Sequence, residues 1–136
     1  MDADRLPEAE MAHVLDSDEF KINSSPVHHM IPTIGLRVEC KIPDKTLAYS
    51  CDTEPCEQTV HLAGGADILI HEAGGASYGH SSAEQAGEIA TRAEVGKLYL
   101  IHYPTGRFAK GNLLAEAGRT YKGEIIVATD FMTIDI

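Results

Sequence analysis

An α/β fold is predicted for this chain by three features of its 136 residues. The first third reads as β-rich with a hairpin, and the remainder alternates short apolar runs with small-residue helical stretches. The third feature is chemical: Asp52, His80 and His102 each fall where a strand or its following loop ends. Such ends converge on one edge of an α/β sheet, where a rigid scaffold holds loops open to substrate.

The elements follow in order. Residues 1–19 are acidic and weakly patterned, with at most a short strand at Ala12 to Leu15, and read as a lead-in interior to a longer parent chain. Residues 20–136 read as one structural unit. Lys21-Ile22-Asn23 and Ile34 to Cys40 alternate at period two, as half-buried strands do, and Pro43-Asp44-Lys45 supplies a turn before the strand Thr46 to Ser50. Pro55 suits the first turn of a helix reaching about Leu62, and Gly64-Gly65 stops it. Asp67 to Ile70 is a continuous apolar strand.

Ser81 or Ser82 caps the next helix, with Glu84 or Gln85 completing a capping box. Ala83, Ala86, Ile89, Ala90 and Ala93 form its buried stripe, small enough for close approach to a sheet, and Gly96 ends it. Lys97 to Ile101 is the next strand. A weaker helix spans about Asn112 to Tyr121, followed by strands at Glu124 to Ala128 and about Met132 to Ile136.

With 43% hydrophobic residues the chain can bury a core as one domain. Its formal charge of −10 opposes nonspecific attraction to nucleic-acid phosphates. No apolar run is long enough for a transmembrane helix, and Met1 to Arg5 lack the order of a signal peptide, so a cytoplasmic location with no membrane partner is expected. Cys40, Cys51 and Cys56 have no framework spacing and suit reduced thiols.

Asp52, between a buried strand and a helix start, could be a cap or a metal-bridging carboxylate. His102 precedes Tyr103-Pro104, which must leave the sheet, so its imidazole faces the loop crevice as ligand or as hydrogen-bonding group. His80 follows a Gly-rich loop and precedes a capped helix, where it can serve a phosphoryl oxygen or stay a loop histidine. His71-Glu72 could add a ligand or an orienting pair, and of the adjacent His28 and His29 at most one can face the site. Cys51-x4-Cys56 raises a competing thiolate site, but no second pair accompanies it.

Five ordered segments resemble the metallo-β-lactamase superfamily and its ribonuclease Z-like branch: His29 to Arg37, Leu47 to Glu54, Ala66 to Ala73, Gly79 to Gly87, and Leu98 to Tyr103. The resemblance implies the C-terminal αββ half of an αββα sandwich, a dinuclear site usually holding zinc, with manganese or iron as alternatives, and phosphodiester hydrolysis of the tRNA 3′-processing kind. By position, Asp52 resembles the metal-bridging carboxylate and a catalytic residue, His102 a metal ligand, and His80 the histidine acting at the scissile phosphate. His71, Glu72 and His29 resemble supporting positions.

Two departures stand out. Cys51 replaces the Gly usual before the bridging Asp, and the family's His-x-His-x-Asp-His motif occurs nowhere in these residues. The expectation is therefore a chain that is inactive alone and needs a missing N-terminal half or another chain. An apolar face left open by half a sandwich also predicts a homo-oligomer. A phosphodiester substrate, precursor tRNA in particular, is expected; the alternatives are a hydrolase of small phosphodiesters or other esters and a non-catalytic assembly module.

Overall fold

The computed structural model describes residues 11–136, so the reading of Met1 to Arg5 and the first ten residues of the expected lead-in lie outside the described residues. Seven strands form a single sheet in sequence order: β1 (Ala12–Asp16), β2 (Phe20–Val27), β3 (Thr33–Cys40), β4 (Lys45–Tyr49), β5 (Ile68–Glu72), β6 (Lys97–Ile101) and β7 (Glu124–Val127). β1 to β4 run antiparallel and β4 to β7 parallel. Helices α1 (Glu57–Ala63), α2 (Ala83–Arg92) and α3 (Leu113–Ala117) make the parallel crossovers.

All three helices cover one face. Alternation in register puts Ala48, Leu69 and Leu98 on that face, where they pack with Ala63 of α1, Ala86 and Ile89 of α2 and Ala117 of α3 in one buried cluster. The small side chains of α2 allow close layers. At Gly87 a Cβ would stand 2.7 Å from the carbonyl oxygen of Ala117, so only glycine lets α2 and α3 meet there.

The opposite face carries Leu36, Tyr49, Ile70, Tyr99 and Ile126 side by side across five strands, each half-buried and under no helix. One sheet with one helical layer is half of a four-layer sandwich. Arg37, in register with Ala48 on the helical face, donates Nη1 to the carbonyls of Leu62 at 2.8 Å and Gly64 at 2.9 Å. It thereby satisfies the orphan carbonyls that end α1.

The capping box is formed by Ser82 and Gln85: the Gln85 amide donates to Ser82 Oγ at 3.1 Å, and Ser82 N–H to Gln85 Oε1 at 2.8 Å. Four element readings are corrected. β2 runs from Phe20 to Val27 rather than over three residues, because it pairs with β1 and β3; Pro26 is tolerated since β1 stops pairing at Ser24. α2 ends at Arg92, with Ala93 as cap and Glu94 at φ 55°, before Gly96 is reached.

α3 covers only Leu113–Ala117, because Thr120 and Tyr121 spend their hydroxyls on Glu84 and Val95 carbonyls, at 2.6 and 2.8 Å, instead of extending the helix. Met132 to Ile136 is not a strand. Phe131 at φ 64° turns the chain out of the sheet, and Asp135 and Ile136 end beside Lys45, Ile68 and Lys97 without a ladder partner. Among the described residues no helix is long and apolar enough to cross a membrane.

Candidate metal centre

The parallel strands all end at one edge, and β2, two antiparallel steps from β4, ends there too. This geometry delivers residues far apart in sequence. Asp52 follows β4, Glu72 closes β5, His80 lies in the loop after β5, His102 follows β6, and His29 follows β2. Ligand atoms of Asp52, His80 and His102 lie within 4.8 Å of one another.

Asp52 is not the cap of α1. The N-cap is Cys56, which makes no side-chain capping bond, and the Asp52 carboxylate instead meets His102 Nδ1 at 3.0 Å and His29 Nε2 at 4.0 Å. His29 donates Nδ1–H to the Gly79 carbonyl at 2.7 Å, which leaves Nε2 as its free nitrogen toward Asp52. A Cβ on Gly79 would stand 2.9 Å from that ring, and its φ is 81°, so glycine is required twice over. Of the adjacent histidines His29 faces the cluster, while His28 is exposed.

His80 is held by Glu72. The His80 Nδ1–H donates to Glu72 Oε1 at 2.9 Å, and the buried carboxylate also receives the Thr53 amide at 3.0 Å and the Gly74 amide at 2.8 Å. Three donors fix the carboxylate, and the carboxylate fixes the imidazole tautomer. His80 in turn lies between the other histidines, its ring centroid 4.9 Å from that of His29 and 5.4 Å from that of His102.

His71 stands apart from this cluster. Strand alternation puts it on the helical face, fully buried, with Nδ1–H donated to the Glu72 carbonyl at 2.8 Å and Nε2 without a partner. Burial pulls its pKa below the ordinary histidine value. Glu72, not His71, is the half of that pair reaching the cluster.

The sequence reading gave Thr53 no role. It is fully buried and ties three loops together: its hydroxyl receives the His28 amide at 3.0 Å, its amide goes to Glu72, and its carbonyl receives Ser81 Oγ at 2.7 Å. Only its position beside Asp52 pointed to it. Backbone strain gathers here as well, with Cys51 at φ 55° and His102 at φ 50°, both left-handed and neither glycine. Cys40, Cys51 and Cys56 are free thiols.

One carboxylate and two imidazoles are the donor types that suit a divalent transition metal, and three protein ligands with an open position are what a catalytic zinc takes. The residues fit one ion. They are too few for two.

A single sheet covered on one side, with a carboxylate and histidines at its strand ends, defines a metallo-β-lactamase-type half-fold, and the family description "Beta-lactamase superfamily domain" matches residues 5–103. The chain belongs to the metallo-β-lactamase superfamily. Among its relatives, Ribonuclease Z of Methanothermobacter thermautotrophicus is 41% identical over 98 residues, covering 66% of this chain and 32% of that protein. The metallo-beta-lactamase fold protein YhfI from Bacillus subtilis aligns with TM-score 0.75 at 25% identity, over 90% of this chain and 51% of that one. Human tRNase Z, short form, aligns with TM-score 0.71 at 24% identity, over 95% and 48%, a likeness of fold. The chain thus spans about a third of the length of the curated relatives it matches and about half of these solved structures.

Proposed function

We propose that this chain contributes half of the active site of a ribonuclease Z-like, metal-dependent phosphodiesterase. The observation carrying this reading is the convergence of Asp52, His80 and His102 within 4.8 Å, beside a His80 locked onto Glu72. The relatives named Ribonuclease Z support the branch. Asp52 and His102 would hold the metal, with zinc as the first candidate and manganese or iron as alternatives. The further ligands would come from another segment of a longer parent or from another chain.

When bound, the metal would supply Lewis acidity that makes water a competent nucleophile near neutral pH, with Asp52 and His102 among the residues holding it. The chain's own part is played by His80. Its Nδ1–H stays on Glu72 while a proton on Nε2 passes to the departing oxygen, and the resulting neutral ring remains oriented for the next cycle. His29, anchored on Gly79, stands with Nε2 4.0 Å from the Asp52 carboxylate. Precursor tRNA is the proposed substrate and the cytoplasm the proposed location; the uncovered sheet face would take up the missing layer or a second copy.

The test is an assay of the complete protein on precursor tRNA and on bis(p-nitrophenyl) phosphate, before and after chelation and metal return. Metal-dependent cleavage of both is expected, falling about 10²–10⁴-fold in His80→Ala. Absence of bound zinc, manganese or iron together with no turnover of either substrate would end the reading. The net charge of −10 favours a second one, hydrolysis of small phosphodiesters or other esters, which cleavage of the chromogenic diester alone would establish.

A further inference from the structure

His29 faces two partners, and the distances separate them. Its Nε2 lies 4.0 Å from the Asp52 carboxylate, beyond hydrogen-bond range, whereas its Nδ1–H meets the Gly79 carbonyl at 2.7 Å. The strong contact therefore reaches not Asp52 but the peptide immediately before His80. Nor is His29 one of the three residues whose ligand atoms lie within 4.8 Å of one another.

The ring that makes this contact is itself held. The His28 amide donates to Thr53 Oγ1 at 3.0 Å and the His28 carbonyl receives the Glu54 amide at 2.8 Å, so the backbone leading into His29 is tied to the loop after β4. The His29 side chain is 11% exposed, against 20% for His80. A packed ring on a fixed backbone is a stop against which a less buried neighbour can rest.

His80 needs such a stop. Its loop contains Gly74, Gly75 and Gly79, and Gly79 holds φ 81°, a conformation that leaves the backbone before His80 without a side chain to steady it. Glu72 fixes which ring nitrogen carries the proton, but that single hydrogen bond leaves the side-chain torsions of His80 to be set by what packs around it. His29 acts on both. Its hydrogen bond holds the Gly79 peptide, and its ring meets the His80 ring edge-on, with centroids 4.9 Å apart and planes at 73°.

We infer that His29 is a positioning residue for His80. It sets the place and tilt of that imidazole from the backbone side while Glu72 sets its tautomer from the carboxylate side, and His80 Nε2 meets the departing oxygen only when both are in place. The contact joins loops 50 residues apart in sequence, so the loop of Asp52 and the loop of His80 keep one spacing. The inference rests on the phosphodiesterase reading for its part in turnover, but not for its effect on the ring.

In the complete protein, His29→Ala is expected to lower kcat on a phosphodiester about 10–100-fold with KM changed less than about twofold, because a displaced His80 fails in the transition state rather than in binding. Conservative variants decide which nitrogen matters. An asparagine amide takes the place of Nδ1 and can still donate to the Gly79 carbonyl, whereas a glutamine amide takes the place of Nε2 alone. His29→Asn should recover most of the loss and His29→Gln should not. Wild-type kcat in His29→Ala, no recovery by Asn, or recovery by Gln each overturn the assignment.

The ring is read directly by NMR of the imidazole nitrogens in the metal-free, isotopically labelled chain at about pH 8, above the ordinary imidazole range. Wild type and His29→Asn should show His80 in the Nδ1–H tautomer alone, and His29→Ala and His29→Gln a mixture of the two tautomers. Should the alanine variant fail to fold, the contrast between Asn and Gln decides. An unaltered His80 signature in His29→Ala and His29→Gln overturns the inference whether or not the protein turns over. Because neither metal nor substrate enters this measurement, its failure leaves the hydrolase reading standing. A failed hydrolase assay with an altered His80 signature does the reverse.

Discussion

Glu72 closes β5 with its carboxylate 2.9 Å from Nδ1 of His80, eight residues later and on the far side of a glycine-rich loop. The contact joins the buried scaffold to the solvent-facing cluster. Because Glu72 also receives two backbone amides, it is rigid before the histidine arrives.

Glu72→Gln presents an amide group to at least one of three donors and can no longer orient the imidazole. Stability is expected to fall by about 2 kcal/mol and kcat of the complete protein on a phosphodiester about 10–100-fold. Denaturant melts and turnover measured together check this; unchanged kcat in a folded variant would show that the pair is structural only.

Cys51 holds a left-handed backbone with φ 55° immediately before Asp52. Cys51→Gly relieves the Cβ clash at some cost in unfolded-chain entropy, for a net gain of about 0.5–1 kcal/mol. Cys51→Val, branched at Cβ, should lose at least about 1 kcal/mol. Urea midpoints ranked Gly, Cys, Val are predicted, and any other order contradicts the strain.

Burial keeps His71 neutral in the native state and holds its pKa below the ordinary 6.5. Above that value neither state binds the proton and the native state has its full advantage. As pH falls below 6.5 the unfolded chain takes up a proton that the native chain refuses, so stability declines until the native pKa is reached. Wild-type stability should therefore drop more steeply than that of His71→Leu, by at most about 1.4 kcal/mol per pH unit, in melts between pH 7.5 and 5. Parallel curves would exclude His71 as the cause.

A methyl group at Gly87 would meet the Ala117 carbonyl at 2.7 Å and also Thr120 Oγ1. Gly87→Ala raises helix propensity yet forces α2 and α3 apart, and a net loss of about 1–3 kcal/mol is expected by thermal denaturation. A gain would mean that α3 yields freely.

Zinc titrated into this chain by calorimetry should give no more than one weak equivalent, abolished in Asp52→Asn, since Asp52 and His102, even with His80 Nε2 recruited in the absence of substrate, can complete one coordination sphere with water but not two. Two tight equivalents would refute the half-site account.

What the sequence determined by itself were the local matters and their order. The period-two and helical patterns, the Ser82–Gln85 cap and the run of strand-end residues Asp52, His80 and His102 were legible because each depends on neighbours within a few positions. Two things needed the tertiary structure. β2 was understated because Ser24 to Val27 owe their extended form to β1 and β3 on either side. Met132 to Ile136 kept an alternating pattern yet found no edge to pair with.

The site divided in the same way. That His29 rather than His28 faces Asp52, that Glu72 rather than His71 reaches His80, and that Thr53 ties the loops were decided by strand alternation and by hydrogen bonds spanning up to 50 residues. A side chain's type is written in the sequence, but its neighbours across a sheet edge are set by the parallel register. That register, with the two antiparallel steps that lead back to β2, brings four strand ends and the intervening loops to one point.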